Sequence, residues 1–377
     1  MAAIDNGREA RRLSPVASGK QSKTYRSAIV GARRGLHHAR AYEGIVGMEI
    51  VALCELDPER LTHGMKHLDV PGYTSMEEML EKERPDIVHA VARPTVPRAQ
   101  FVEMAAAAGV KALVIEKPIG LKPSEVEAVS RAIERTGLKV IVNHQRRYMP
   151  FAFRLRELLA SGELGQIHFI RVSTEGPLTD MATHVFDLAL LAVGDVAPTH
   201  VWATAEGGSD FSIPNYLCPD SLIGTYSFPG GIRVLFESAE KALGTRDYRA
   251  CNGRCNIDIW ASRGRFWWRQ FCQWGYQHDG MRWPELHSTN MEADDIPAQR
   301  LLTRAIADWL DDENKPHFSR FENAKLGMDS LLTGYRSALL GKRLEWPSAL
   351  TDDEFDQLRG RLTGTEFAAP EVVGVRA

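Results

Sequence analysis

No run of apolar residues in this 377-residue chain approaches the roughly 18 that a membrane-spanning helix needs, so no membrane partner is expected. An excess of one charge is missing too. The 46 basic and 49 acidic residues leave a net charge of −3, which argues against a nucleic-acid partner. Cysteine is scarce and odd in number, five in all, which suits reduced thiols better than a disulfide framework. Cys251-x3-Cys255, with Cys272 and His278 downstream, is a poor match to zinc spacing, so no metal is expected. Arg11-Arg12 is not followed by an apolar segment, so export is not expected and a cytoplasmic location is. There is no internal repeat and no low-complexity tract.

What is present is an ordinary globular composition, 44% hydrophobic and 25% charged, on a chain long enough for two domains. Residues 26–31, 48–55, 85–92, 110–116 and 138–143 are short runs of Val, Ile, Leu and Ala, as strands covered on both faces should be. Between them lie amphipathic stretches with helical periodicity, with Ser75 and Ser124 at N-cap positions and Gly109 and Gly137 at helix stops. That alternation predicts a parallel, doubly wound sheet. After Pro150 the pattern changes to one helix, then alternating antiparallel strands with turns at Gly230-Gly231 and Gly264, then two helices near the C-terminus. The expected division is an arm at 1–24, a Rossmann dinucleotide-binding domain at 25–146, and an α+β domain at 147–377 for substrate binding and oligomerisation.

The first strand runs into Gly31-Ala32-Arg33-Arg34-Gly35, a short glycine turn before a helix, which presents free N–H groups to a phosphate. As a G-x-G-x-x-G motif it is incomplete, since Arg33 stands where the middle glycine should fall and the turn is one residue shorter. Its context carries it: Glu55 ends the second strand twenty residues after Gly35, where a carboxylate accepts from a ribose diol. The same carboxylate would also serve as a cap for the following helix. A carboxylate there repels a 2′-phosphate and favours NAD over NADP, whereas Arg33 and Arg34 pull the other way. In doubly wound sheets ligands bind beyond the carboxyl ends of the strands. Arg93, Pro94 and Thr95, then Glu116, Lys117 and Pro118, stand at such ends and are expected to line the crevice. Asp180 and His184, four apart in a helical stretch, are expected on one face. A lysine, a carboxylate and an imidazole meeting beside a nicotinamide suit oxidation of an alcohol to a ketone.

Gly31…Gly35-x-x-His38, Glu116-Lys117-Pro118-Ile119-Gly120, Asn143-His144-Gln145-Arg146-Arg147-Tyr148, and Asp180-x3-His184-x2-Asp187 together resemble the Gfo/Idh/MocA family. The resemblance runs from Tyr25 to about Pro347. It implies a Rossmann domain followed by an α+β domain with an open-faced, mainly antiparallel sheet. It also implies Lys117, Asp180 and His184 as catalytic residues, and a sugar, sugar acid or polyol oxidised with NAD or NADP. Two positions depart from the family pattern: Arg98 stands where histidine is frequent, and Ala182 where glycine is. Some relatives cleave glycosides through transient oxidation, and a non-catalytic nucleotide sensor is a remoter alternative.

His184 is expected as general base with Asp180 orienting or assisting it, and Lys117 as the group that holds the reacting hydroxyl. His144, Arg146, Arg147 and Tyr148 are expected to meet the substrate from the Rossmann side. Trp283 is expected to do so from an aromatic cluster that includes Trp267, Trp268, Trp274, Tyr276, His278 and Arg282. That many cations suggest an anionic sugar or a larger glycoside. The open sheet face, drawn from strands such as 233–238 and 265–271, is expected to be apolar and to pair with a copy of itself as a homodimer or homotetramer.

Overall fold

The computed structural model describes residues 24–242 and 254–364; residues 1–23 of the expected arm lie outside them. The first half alternates β1 (Tyr25–Val30), α1 (Gly35–Arg40), β2 (Met48–Cys54), α2 (Pro58–Leu68), β3 (Gly72–Tyr73) and α3 (Met76–Glu83). It continues with β4 (Ile87–Ala90), α4 (Arg98–Ala107), β5 (Ala112–Ile115), α5 (Pro123–Thr136) and β6 (Lys139–Val142). The strands pair in parallel in the order β3-β2-β1-β4-β5-β6. Helices cover both faces, which is why β4 and β5 are buried along their whole length. Local chemistry starts and stops the helices. Asp57 accepts from the Glu59 and Arg60 N–H groups to open α2, Ser75 accepts from Glu78 N–H to open α3, and Gly137 closes α5 in the left-handed region.

The second half contains α6 (Pro150–Ala160), β7 (Ile167–Thr174), α7 (Thr183–Val193), β8 (His200–Glu206), β9 (Ser221–Ser227), β10 (Arg233–Ser238) and β11 (Cys255–Ala261). It goes on with β12 (Gly264–Arg269), β13 (Gln273–His278), β14 (Glu285–Ser288), α8 (Met291–Asp311), α9 (Phe321–Leu340), β15 (Leu344–Glu345) and α10 (Asp352–Thr363). Its nine described strands run β14-β13-β12-β11-β7-β10-β9-β8-β15, antiparallel except for the β7–β10 pair. Helix α8 begins five residues earlier than the sequence suggests, with Pro297 inside it. Ser124 does not cap α5. Lys122 holds the cap position, and Ser124 donates N–H and Oγ–H to Asp352 at the start of α10, tying the two halves together. Tyr25 Oη donates to Asp311 at 2.6 Å and Lys139 pairs with Glu313, so the C-terminal helices return onto the parallel sheet.

The inner face of the second sheet carries Val234, Phe236, Phe266 and Trp268, all buried, with Trp268 stacked on Phe151 at 4.5 Å. The outer face is not the purely apolar surface expected. Trp202, Ile223, Trp260 and Leu286 are exposed there, but Arg269–Asp258 and Arg171–Glu237 pairs run between them. Cys54, Cys218 and Cys255 are free and buried, whereas Cys272 is disulfide-bonded, so the expectation of wholly reduced thiols fails at that residue. No helix among the described residues is long and apolar enough to cross a membrane.

Candidate functional site

Strand order reverses between β1 and β4, and the loops leaving these strands touch. Gly31 has φ +97°, and a Cβ on it would sit 2.4 Å from the Val91 carbonyl oxygen, so only glycine fits. Gly35 is needed for a different contact, since a Cβ there would meet Ile29 Cγ2 at 2.7 Å. Beyond these strand ends opens a cavity of about 1470 Å³. One end is lined by Glu55, Leu56 and Asp57, the middle by Gly31, Arg33, Arg34, Arg93 and Pro94, and the far end by Glu116, Lys117, Pro118, Asp180 and His184. Thr95, Ala32 and Gly35, expected in contact with the cofactor, are not among its lining residues. Ala32 acts through its backbone instead: its N–H donates to Glu55 Oε2 at 2.7 Å, while Asp57 N–H donates to Oε1. Glu55 therefore knits the glycine turn to the entry of α2 as well as facing the cavity. Buried Arg98 donates to the carbonyls of Ala92, Arg93 and Val96 and so folds the crevice loop.

At the far end the Lys117–Pro118 peptide is cis. Lys117 Nζ donates to Asp180 Oδ1 at 2.6 Å and to the Asp180 carbonyl at 2.7 Å. Asp180 lies in one turn of π-helix, Leu178–Ala182, and His184 in the α-helical turn after it, so the two do not share a regular helix as their spacing suggested. Asp180 is engaged by Lys117, with no bond to His184 among the described residues. His184 is 5% exposed, and its Nδ1 has no hydrogen-bond partner. Burial, then the charges of Arg146 and Lys117, hold its pKa well below the ordinary histidine value, so it rests neutral. Glu116 is buried as well. Burial alone would raise its pKa, but the hydrogen bond from His38 and the charges of Arg34 and Lys117 bring it below the ordinary carboxylate value.

The motif after β6 divides its side chains between cavity and core. Asn143, Gln145 and Arg146 line the cavity; His144, Arg147 and Tyr148 do not. Arg147 bonds Asp187 through Nε at 2.8 Å and Asp195 at 2.7 Å, and His144 Nδ1 lies 3.1 Å from Asp187 Oδ1. Tyr148 Oη accepts from Phe318 N–H. None of these three expected substrate contacts lines the cavity: Asp187, on α7, holds Arg147 and His144, and Phe318 holds Tyr148. Arg146, 5% exposed, has no carboxylate partner among the described residues; it donates to Cys255 Sγ at 3.1 Å and lies over the Trp268 ring. Trp283 is 73% exposed and away from the cavity, and none of the aromatic cluster lines it. Trp274 stacks on His287 and Trp268 on Phe151. Besides Asp180 and His184, the second half supplies Thr179, Met181, Asn215, Tyr216, Gln270, Phe271, Met291 and Asp295, which no motif distinguished.

The donor set fits a dinucleotide. A carboxylate stands at the ribose end, Arg33 and Arg34 stand midway for a diphosphate, and Glu116 and Asn143 offer acceptors at the reacting end, where Asn143 Oδ1 is buried without a partner. The volume exceeds the ~300–1,000 Å³ of a one-ligand pocket, leaving room for cofactor and substrate together.

Residues 25–144 match the family model described as oxidoreductase family, NAD-binding Rossmann fold. Among curated proteins, D-apiose dehydrogenase of Paraburkholderia graminis is 29% identical over 46% of this chain, a match spanning 51% of that relative's length. Inositol 2-dehydrogenase of Rhizobium meliloti is 25% identical over 64% of this chain and 74% of its own. An oxidoreductase from Agrobacterium radiobacter, solved with NAD+, L-tartaric acid and magnesium, has the same fold: TM-score 0.72 over 86% of this chain and 98% of that one, at 17% identity.

Proposed function

Because the chain belongs to the Gfo/Idh/MocA oxidoreductase family, we propose that it is a NAD-dependent dehydrogenase of a sugar or polyol hydroxyl. The observation that carries this reading is the convergence of Lys117, Asp180 and His184 on one cavity whose other end is Glu55. Residues 25–146 serve as the nucleotide domain and 147–377 as the substrate domain. Bound NAD supplies the hydride acceptor. Lys117, held by Asp180, meets the reacting hydroxyl oxygen and stabilises the negative charge that grows on it. His184, neutral at rest, takes the hydroxyl proton. Glu55 favours NAD over NADP, since its carboxylate faces the adenosine end while Asp57 pairs with Arg60 at 3.2 Å.

The named relatives are dehydrogenases, which favours net oxidation over glycoside cleavage. A panel of sugars, sugar acids and glycosides tests this, read by NADH absorbance and product release in parallel. Stoichiometric NADH supports the dehydrogenase, and cleavage without NADH rejects it.

Arg146 favours a more specific reading, an acidic sugar. A guanidinium buried without a carboxylate is costly, and a substrate carboxylate would compensate it. Arg146→Gln should then erase any preference for an acidic sugar over its neutral counterpart in kcat/KM. Equal values for the two sugars with the wild-type protein would reject the acidic class. The exposed Trp202, Ile223, Trp260 and Leu286 on the uncovered sheet face support a homo-oligomer.

A further inference from the structure

Four buried side chains, Tyr42 in the turn after α1, His38 on α1, His89 on β4 and Glu116 just past β5, form a chain that the proposed reaction does not use. Tyr42 Oη lies 2.9 Å from His89 Nε2, His89 Nδ1 lies 3.0 Å from His38 Nδ1, and His38 Nε2 lies 2.8 Å from Glu116 Oε1. Asn143 Nδ2 donates to the same carboxylate oxygen at 3.0 Å. His38 and His89 are 1% and 0% exposed, while Glu116 reaches the cavity wall beside Lys117.

The positions of the hydrogens follow from the contacts. A carboxylate accepts, so His38 Nε2 carries a hydrogen. Two Nδ1 atoms face each other, and a single hydrogen serves both. With His38 neutral, its Nδ1 accepts, His89 Nδ1 donates, His89 Nε2 accepts, and Tyr42 donates. Every hydrogen then has an acceptor. With His38 doubly protonated the order reverses, His89 Nε2 donates to Tyr42 Oη, and the phenolic hydrogen needs another acceptor. Ser27 Oγ, the neighbouring hydroxyl, has no other partner and would have to take it. The neutral arrangement needs no acceptor outside the chain and adds no buried charge, so the chain runs from Tyr42 through His89 and His38 to Glu116. Its inner end is buried, so it fixes a charge and an orientation; it is not a path for protons to solvent.

We propose that Tyr42, His89 and His38 are positioning residues that hold Glu116 as an oriented carboxylate, whose second oxygen accepts a hydrogen bond from the nicotinamide half of a bound dinucleotide. The inference rests on reading the cavity as a NAD site. His38 and Asn143 occupy Oε1 only, which leaves Oε2 for a carboxamide N–H or a ribose O–H. The groups facing Glu116 are His38 from α1, Arg34 from the glycine turn, Asn143 after β6, Arg98 from α4 and the adjacent Lys117. His38 and Tyr42 face His89.

The free protein, with isotope-labelled histidine, gives the first test by NMR. At neutral pH His38 should be the Nε2–H tautomer and His89 the Nδ1–H tautomer; a charged His38 or the reverse tautomers would overturn the polarity. Calorimetric titration with NAD gives the second. Wild-type Kd should be flat between about pH 5.5 and 8.5. His38→Leu leaves Glu116 buried without its donor and raises its pKa, so NAD should weaken about tenfold or more at the acid end and recover as pH rises. Glu116→Gln should weaken binding equally at every pH. His38→Gln, whose amide N–H reaches the same carboxylate, should restore the flat profile, which separates loss of the donor from loss of fold. The acetylpyridine analogue of NAD lacks the carboxamide N–H: wild type and Glu116→Gln should bind it alike if that group is the donor, and differ as with NAD if a ribose hydroxyl is. A wild type that does not bind NAD rejects the dinucleotide reading, and the inference with it. A wild type that binds, with His38→Leu and Glu116→Gln unchanged in Kd and pH profile, rejects the inference alone.

Discussion

A buried imidazole next to cations must rest neutral, and that sets what His184 does as pH falls. Its pKa is pushed down by burial first and by Arg146 and Lys117 next. An ordinary histidine base would lose activity below about pH 6.5. For His184 the loss is displaced to more acid pH, so kcat/KM should stay flat through the usual histidine range; a break near 6.5 would show that another group is the base. His184→Ala should lower kcat by about 10²–10⁴, and Lys117→Ala should lower kcat more than it raises KM. Both residues were legible in the sequence, because a strand end fixes where Lys117 points and the motif spacing singles out His184. The fate of Arg146 and Arg147 was not. Two adjacent arginines look alike until Asp187 and Asp195, forty and more positions on, are seen to claim only the second.

Between elements the costliest group to disturb is the Arg147–Asp187–Asp195 cluster, which joins the segment after β6 to α7 and the turn behind it. Asp187 is 1% exposed, and Arg147, with His144, holds its pKa at about 2 against the upward push of burial. Arg147→Ala strands a buried carboxylate, so urea denaturation should show a loss of about 3–5 kcal/mol. Arg146→Ala, which strands none, should fall well short of that. Gly31→Ala should be as harmful locally, since φ +97° and the Val91 carbonyl at 2.4 Å leave no place for a methyl. The alternation of strands and helices exposed the parallel sheet to a reading by periodicity, and Gly31 was legible with it. The π-turn was not, because the residues from Leu178 to Ala182 fit an ordinary helix as well. What inserts the extra residue is tertiary: Lys117, from another domain, binds both the carboxylate and the carbonyl of Asp180.

For the whole molecule the open question is what meets the uncovered face of the nine-stranded sheet. Strand alternation places Trp202, Thr225, Leu235, Arg171, Asp258, Trp267, Gly275 and Leu286 in one row across it. The sequence could not assign these faces alone. The stretch 265–271 is aromatic on both parities, and only the pairing register turns Phe266 and Trp268 inward and Trp267 outward. Side chains from both classes then explain the character of the row. Trp202 at 45% and Leu286 at 55% exposure are apolar enough to favour burial against another surface. The central Arg171–Glu237 and Arg269–Asp258 pairs, the latter at 2.6 Å, keep the row partly polar and fix a register. A two-fold copy satisfies both, since each patch of such an interface meets itself. Light scattering of the wild-type protein at micromolar concentration should therefore give at least a dimer. Trp202→Glu and Trp260→Glu together put four carboxylates into a self-paired face and should shift the protein toward monomer while leaving its circular dichroism unchanged. A wild type that is monomeric, or a variant that associates as well as the wild type, would place the interface elsewhere.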